Sequence, residues 1–306
     1  MARSQIFHQV FSVLLPILGL VTNLVCILLV IYGGLFRQSR FAFFLNFLVC
    51  NFLMCSVGLP FWTIFVFSST AAMDSSTLCR VQGYVMFSIA GTGSLNIALL
   101  SVNHYVCIVK YTWYNRIFTT RNTRVMLFLV WFICLTLFLF PLLDVWGRFT
   151  YDKLRFLCSP LLTYGSYRYF IGSVFSLLSL PTILFCYVEI LRKFKVSKVS
   201  SLQNENIQRR KKENHLIRAI VCFITVDCAL FFPVLVVTTI DPDMKTIPAW
   251  IHVLALYLKI SSFTVNSLVY SVLNKKIRSS FLDIVRCFFL NKKNSADFNE
   301  TATQQT

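Results

Sequence analysis

The chain has few charged residues for its length, and acidic residues are the scarcest of them. Only 13% of its 306 residues are Asp, Glu, Lys or Arg, and Asp and Glu together number 12. An ordinary soluble domain carries about 25% charged residues. A water-soluble fold is therefore excluded, because it would have nowhere to bury a hydrophobic content of 57%.

The residue groupings that carry catalysis are also missing. The 4 histidines are scattered, with neither the spacing of metal ligands nor a nucleophile beside them. The paired broken helices and internal repeat of secondary transporters are not found either. The sequence thus excludes an enzyme and a transporter, and it predicts neither a metal site nor a cofactor.

Long apolar stretches are what the chain has in abundance. An α-helix rises about 1.5 Å per residue, so about 20 apolar residues cross a bilayer core of about 30 Å. Seven stretches are long enough, at about 8–34, 41–68, 79–108, 125–146, 168–192, 216–240 and 248–273. They predict an all-α membrane protein, a bundle of seven transmembrane helices, which we number as spans one to seven.

The distribution of basic residues predicts the orientation of the bundle. Lys and Arg near span ends are retained on the cytoplasmic side. With the N-terminus outside, cytoplasmic segments hold 21 of the 29 Lys and Arg, outer segments hold seven, and Lys259 lies inside span seven. We therefore expect the N-terminus outside and the C-terminus inside. The basic residues that give the chain its net charge of +17 lie at the membrane edges. This position favours anionic lipid headgroups over nucleic acid as their partner.

Two of the 11 cysteines reach the oxidising side in this orientation. Cys79 begins span three, and Cys158 lies in the long loop after span four. Structural disulfides form on the oxidising side of a membrane. A bridge between these two residues would hold the loop across the mouth of the bundle.

An amphipathic helix is predicted after span seven. Apolar residues recur there every three or four positions among basic ones, which is typical of a helix on the inner leaflet, here at about 275–289. Cys287 within it is either a palmitoylation site or an unmodified apolar contact. The expected organisation is a membrane domain over 1–290 and a short cytoplasmic tail over 291–306.

Motifs within the spans resemble the rhodopsin-like family of G-protein-coupled receptors. Six spans carry a residue or motif that the family has at the same place: Asn23, Asn51, Asn103-His104-Tyr105, Trp131, Pro233 and Asn266-Ser-Leu-Val-Tyr270. The family has Asp-Arg-Tyr at the end of span three and Asn-Pro-x-x-Tyr in span seven. His104 and Ser267 are therefore departures from its pattern.

Within this family the chain resembles the melatonin receptors. The similarity lies in Tyr151-Asp152 ahead of the loop cysteine, in FCYVEI over 185–190 and in DPDMKTIPAW over 241–250. The residues that hold melatonin do not carry over, since other residue types stand in their places at Leu142, Pro160 and Leu162. The resemblance implies a shared scaffold and a different ligand.

What the resemblance implies is a plasma-membrane receptor that transmits binding of an extracellular small molecule to a heterotrimeric G protein. The melatonin receptors imply the inhibitory class, and a receptor dimer is compatible with the family. The ligand pocket is expected between the spans, under the loop, with walls formed by Met86, Phe87, Ile89, Ala90, Phe231, Val234, Tyr257 and Lys259. Span three contains no acid, which favours an aromatic, largely apolar ligand over an amine.

Coupling and activation are expected to depend on seven residues, namely Asn103, His104, Tyr105, Tyr187, Pro233, Asn266 and Tyr270. Histidine is shorter than the arginine of the family and about neutral at pH 7. Weak, pH-sensitive or absent coupling follows as an alternative. The second hypothesis is a non-signalling protein that sequesters ligand or pairs with a signalling receptor.

Two ionisable residues inside the spans admit more than one interpretation. For Lys259 there are three interpretations. It holds an anionic ligand group, it pairs or snorkels within the bundle, or it carries retinal as in opsins. The opsin lysine lies six residues before the span-seven Asn and Lys259 lies seven before, which rotates its side chain by about 100°. Asp227 joins Asn23 and Asn51 in a buried polar core, either as a displaced sodium-binding carboxylate or as a protonated, hydrogen-bonded acid.

Overall fold

The computed structural model describes residues 2–68, 77–160, 165–199, 207–241 and 243–282. The helices in chain order are α1 (Ala2–Tyr32), α2 (Ser39–Leu53), α3 (Leu59–Phe67), α4 (Thr77–Ile108), α5 (Tyr111–Ile117), α6 (Thr120–Leu142), α7 (Gly165–Val199), α8 (Ile207–Ile240) and α9 (Ala249–Leu273). Two short strands, β1 (Thr150–Asp152) and β2 (Leu157–Ser159), lie between α6 and α7. A 3-10 turn, Leu35–Arg37, follows α1.

Within the described residues, seven helical segments are long and apolar enough to cross a membrane. Span one is α1, span two is α2 with α3, and spans three to seven are α4, α6, α7, α8 and α9. The predicted bundle is confirmed. Several helices extend beyond the apolar runs, and α8 begins at Ile207 rather than near 216. The reason is that Gln, Arg, Lys and Glu are good helix formers, so a helix does not end where its apolar run ends.

Span two contains a wide turn caused by proline. Pro60 has no backbone N–H, so it cannot make the helical hydrogen bond to the carbonyl four residues earlier. A π turn over Met54–Gly58 lies at this point, and the Leu59 amide bonds to Met54 O in the π pattern. The turn joins α2 to α3 within one continuous span.

The central helix of the bundle is α4, which packs against α2, α6 and α7, while α8 packs mainly against α9. We call the end of the bundle at Cys79, where α4 begins, the disulfide end. The other end, at Ile108, is the opposite end.

A further helical stretch over 275–282 follows α9. Asn274 Oδ1 accepts the Lys276 amide at 3.1 Å, which supports the first turn of this stretch. Ile277 is buried against the apolar cluster at the opposite end, whereas Lys275 and Arg278 are exposed. This part agrees with the predicted surface helix, and Cys287 lies outside the described residues.

Candidate ligand-binding site

A β-hairpin closes over the disulfide end of the bundle. Strands β1 and β2 pair antiparallel, with Tyr151 opposite Cys158. Cys158 is bonded to Cys79 at the start of α4, with their Cα atoms 5.4 Å apart. The Cys158 amide also donates to Gln82 Oε1 at 2.9 Å. The predicted disulfide is confirmed, and it holds the hairpin against α4.

The hairpin is also tied to the loop between spans six and seven by four residues that we call the Arg155 latch: Asp152, Arg155, Asp241 and His252. Arg155 Nη2 lies 2.9 Å from His252 Nδ1, and His252 Nε2 lies 3.2 Å from Asp241 Oδ2. Arg155 Nη1 is 3.6 Å from Asp152 Oδ2. A guanidinium only donates, so His252 accepts at Nδ1 and donates from Nε2. All four are at most 8% exposed, which shields the latch from solvent.

Asp241 organises the loop that leads into α9. Its carboxylate accepts the backbone amides of Lys245, Thr246 and Ile247 at 2.9, 3.0 and 2.8 Å. Burial acts to raise the pKa of this carboxyl, but these hydrogen bonds and the one from His252 hold its pKa well below the ordinary value of 3.8. Asp241 is therefore a fixed anion to which the latch attaches.

An apolar cluster lies directly beneath the hairpin. It contains five of the predicted pocket residues, namely Met86, Phe87, Ile89, Ala90 and Tyr257. Phe156 and Leu157 of the hairpin pack against it, as does Trp62 of span two. Trp62 Nε1 donates to the Arg155 carbonyl at 2.9 Å, so the cluster and the latch share one backbone segment. We call this group the aromatic cluster.

Span one contributes a face to this cluster that the sequence analysis did not identify. Tyr257 OH lies 2.8 Å from His8 Nδ1, and the His8 and Phe156 rings are 5.2 Å apart. The rings of Phe7 and Phe11 lie 5.3 and 5.8 Å from the Tyr257 ring. The spacing of four between these two phenylalanines was the available signal, because it places them on one helix face.

Lys259 and Phe231 lie at the span-six edge of the aromatic cluster, to which Phe263 belongs. The Lys259 ammonium is 4.8 Å from the centre of the Phe231 ring and 5.1 Å from that of Phe263. Side chains two positions apart on a helix point about 200° apart. Tyr257 therefore faces spans one and two, and Lys259 faces span six. The structure divides the predicted pocket wall into these two parts, with Val234 partly buried further along α8.

A hydrogen bond joins spans six and seven below Lys259. Asn266 Nδ2 donates to Asp227 Oδ1, and both residues are buried. Lys259 lies near the same carboxyl group, without an ion pair between them. Asp227 thus lies beside Asn266 in the bundle interior.

Amide side chains connect other spans through hydrogen bonds. Asn23 Nδ2 donates to Phe263 O at 2.9 Å and joins spans one and seven. Asn46 Nδ2 donates to Asn96 Oδ1 at 3.0 Å, and Trp131 Nε1 donates to Asn46 Oδ1 at 2.9 Å, which joins spans two, three and four. Asn96 was not predicted to join these spans, since no sequence motif singles it out. Asn51 of span two, which was predicted in the buried polar core, is 2% exposed.

Two of the predicted coupling residues, Tyr187 and Tyr270, lie toward the opposite end, whereas Pro233 lies near the disulfide end of α8. Tyr270 is fully buried, with its ring centre 3.8 Å from that of Phe44 and 5.3 Å from that of Phe223. Tyr187 OH lies 3.5 Å from Val221 O across spans five and six. These contacts close the bundle interior around Tyr270.

The tripeptide at the end of α4 is also enclosed. Asn103 is 0% exposed and His104 is 1% exposed. The Tyr105 ring lies 5.5 Å from that of Phe185 on span five. His104 therefore lies inside the bundle rather than on its surface.

A surface groove of about 430 Å³ lies beside span four at this end, lined by Trp113, Arg116, Ile117, Asn122 and Met126. Trp113 is 61% exposed. The groove therefore presents an apolar ring and a cation together.

Comparison with solved structures supports the fold. The crystal structure of squid rhodopsin superimposes with a TM-score of 0.76 at 17% sequence identity, covering 94% of this chain and 88% of that one. At this identity the likeness concerns the fold alone.

Comparison with known sequences identifies the family. The chain is similar to melatonin receptor type 1B-B of Danio rerio, with 22% identity over 301 residues that cover 96% of this chain and 85% of that protein. It is also 21% identical over 305 residues to the Drosophila melanogaster protein trapped in endoderm-1, covering 91% and 77% of the two chains. The predicted resemblance to melatonin receptors is confirmed. The family described as 7 transmembrane receptor (rhodopsin family) matches residues 22–270. The chain belongs to this rhodopsin family of seven-transmembrane receptors.

Proposed function

We propose that this receptor couples binding of a small, largely apolar molecule at the disulfide end to activation of a heterotrimeric G protein at the opposite end. The observation that carries this proposal is the aromatic cluster beneath the hairpin. Its polar contacts include the His8–Tyr257 hydrogen bond to span one and the hydrogen bond from Trp62 Nε1 to the Arg155 carbonyl. Ligand sites are typically apolar, with a few placed polar groups.

We propose that the disulfide end lies outside the plasma membrane. Disulfides form in oxidising compartments, and the Cys79–Cys158 bond lies at this end. The 21 Lys and Arg of the other loops and the tail follow the rule for cytoplasmic segments. The two arguments are independent and support the same orientation.

Span six supplies the connection between the two ends. Pro233 has no backbone N–H, so the helix can bend where its hydrogen bond is missing. Phe231 lies near this point and contacts Lys259. Ligand contacts there can shift the population of span-six arrangements around Tyr187 and Tyr270. Similarity to melatonin receptors supports an inhibitory G protein, and the exposed Trp113 groove offers a contact surface for it.

A second candidate function is a non-signalling member of the family that sequesters ligand or pairs with another receptor. The observation that favours it is the burial of His104, which replaces the permanently charged arginine of the family motif. An enclosed histidine presents no permanent cation to a G protein.

The test is G-protein activation in cells that express the wild-type chain, His104→Arg or His104→Gln at equal surface levels. Basal activity and responses to a panel of indole and lipid ligands are measured. Activation by wild type supports the proposed function. Activation by His104→Arg alone supports the non-signalling candidate, because His104→Gln controls for loss of the imidazole without adding charge.

A further inference from the structure

Lys259 is a cation within span seven whose hydrogen-bonding capacity is not used by the part of the chain that the structure describes. An ammonium carries three N–H donors. Among the described residues, Lys259 Nζ makes no hydrogen bond and no ion pair, and its contacts are the rings of Phe231 and Phe263 at 4.8 and 5.1 Å. Aromatic faces attract a cation but do not replace an oxygen acceptor.

The depth of this group makes the missing acceptor significant. Lys259 lies ten residues into α9, about 15 Å from its start along the helix axis. Ionisable groups at such depth are expensive and by default functional. Asp227 attracts Lys259 without forming an ion pair with it, and Asn266 occupies one of its oxygens. The protein therefore attracts the ammonium from a distance and leaves its donors available.

We propose that Lys259 binds the carboxylate of an amphiphilic ligand that has one anionic group and an apolar body. This inference rests on the proposed function and specifies its ligand class. One ammonium matches one carboxylate, and the walls that Phe231 and Phe263 form around it suit the apolar part of such a ligand. A phosphate would call for further cations, and no second Lys or Arg is in contact with Lys259 among the described residues.

Asp227 connects the proposed carboxylate site at Lys259 to Asn266, one of the predicted coupling residues. Lys259 attracts Asp227, and Asp227 accepts the hydrogen bond from Asn266 across spans six and seven. A ligand anion at Lys259 screens this attraction, since its negative charge offsets that of the ammonium.

The experiment uses purified full-length receptor in phosphatidylcholine nanodiscs and two pairs of probes matched in shape. Oleate is compared with oleamide, and indole-3-acetate with indole-3-acetamide. Ligand-induced shifts of the thermal unfolding midpoint are titrated for wild type, Lys259→Arg and Lys259→Met. A charge-assisted hydrogen bond predicts that wild type prefers a carboxylate over its amide by at least about tenfold. Lys259→Arg retains the preference, and Lys259→Met loses it.

Removing Lys259 alone leaves Asp227 without its counter-charge, so the double variant Lys259→Met/Asp227→Asn supplies a charge-balanced receptor for the same titration. Equal affinity for carboxylate and amide in wild type, for both pairs, overturns the proposal. A carboxylate preference that persists in the double variant also overturns it. G-protein nucleotide exchange is measured separately. A receptor that prefers carboxylates but never activates a G protein refutes the proposed function and leaves this inference standing.

Discussion

Replacing Arg155 by methionine should release the hairpin from the loop between spans six and seven. The substitution keeps an unbranched apolar chain but leaves Asp152 and His252 without the guanidinium. Breaking a buried ion pair by removing one partner costs about 3–5 kcal/mol. We expect the lower end, about 3 kcal/mol, because the 3.6 Å contact to Asp152 is long and Asp152 Oδ1 keeps the amides of Leu154 and residue 155.

Amide hydrogen exchange of the hairpin, followed by mass spectrometry, measures this loss. A change of 1.4 kcal/mol is tenfold in an equilibrium constant, so about 3 kcal/mol predicts roughly 150-fold faster exchange over residues 150–159. The matched control is Arg80→Met, which breaks a pair with Asp144 at the same end whose side chains are 39% and 26% exposed. Exposed pairs contribute about 0–1 kcal/mol. Equal exchange in the two variants would refute the structural role of the Arg155 latch.

Two further predictions concern the same end of the molecule. A Cβ at Gly83 would lie 2.8 Å from the Cys158 carbonyl oxygen, so Gly83→Ala should lower the free energy of unfolding by about 1–3 kcal/mol. The control is Gly172→Ala, whose Cβ would have nothing within 4 Å and which should raise the free energy of unfolding by about 0.5–1 kcal/mol. A thiol-reactive dye that reports exposure of buried cysteines during heating measures both, and equal midpoints would contradict the close approach. Because the folded pKa of Asp241 lies below 3.8, its stabilisation should be complete above about pH 4 and decrease as the pH falls further. Amide hydrogen exchange of residues 243–248, measured as a function of pH, should become faster below about pH 4 in wild type and in the exposed control Asp243→Asn. Asp241→Asn should not show this pH dependence, and identical profiles in all three proteins would exclude the effect.

Residue type and order were sufficient to predict the class of fold and the disulfide. The length of an apolar run decides whether a helix can cross a bilayer, because the membrane offers the backbone no other hydrogen-bonding partner. The position of Cys79 and Cys158 relative to those runs then predicted their bond. Motif residues such as Asn266 and Tyr270 were also placed in the correct span.

Tertiary packing decided which way each helix faces. Tyr257 and Lys259 were assigned to one pocket wall, but α9 turns the first toward span one and the second toward span six. A span that is apolar all round carries little periodicity to predict its rotation, which is set by its neighbours. The Arg155 latch joins residues 97 positions apart in the chain, and no local pattern announces such a contact. Sequence thus determined how many helices cross the membrane, and only the packed bundle determined which of their side chains meet.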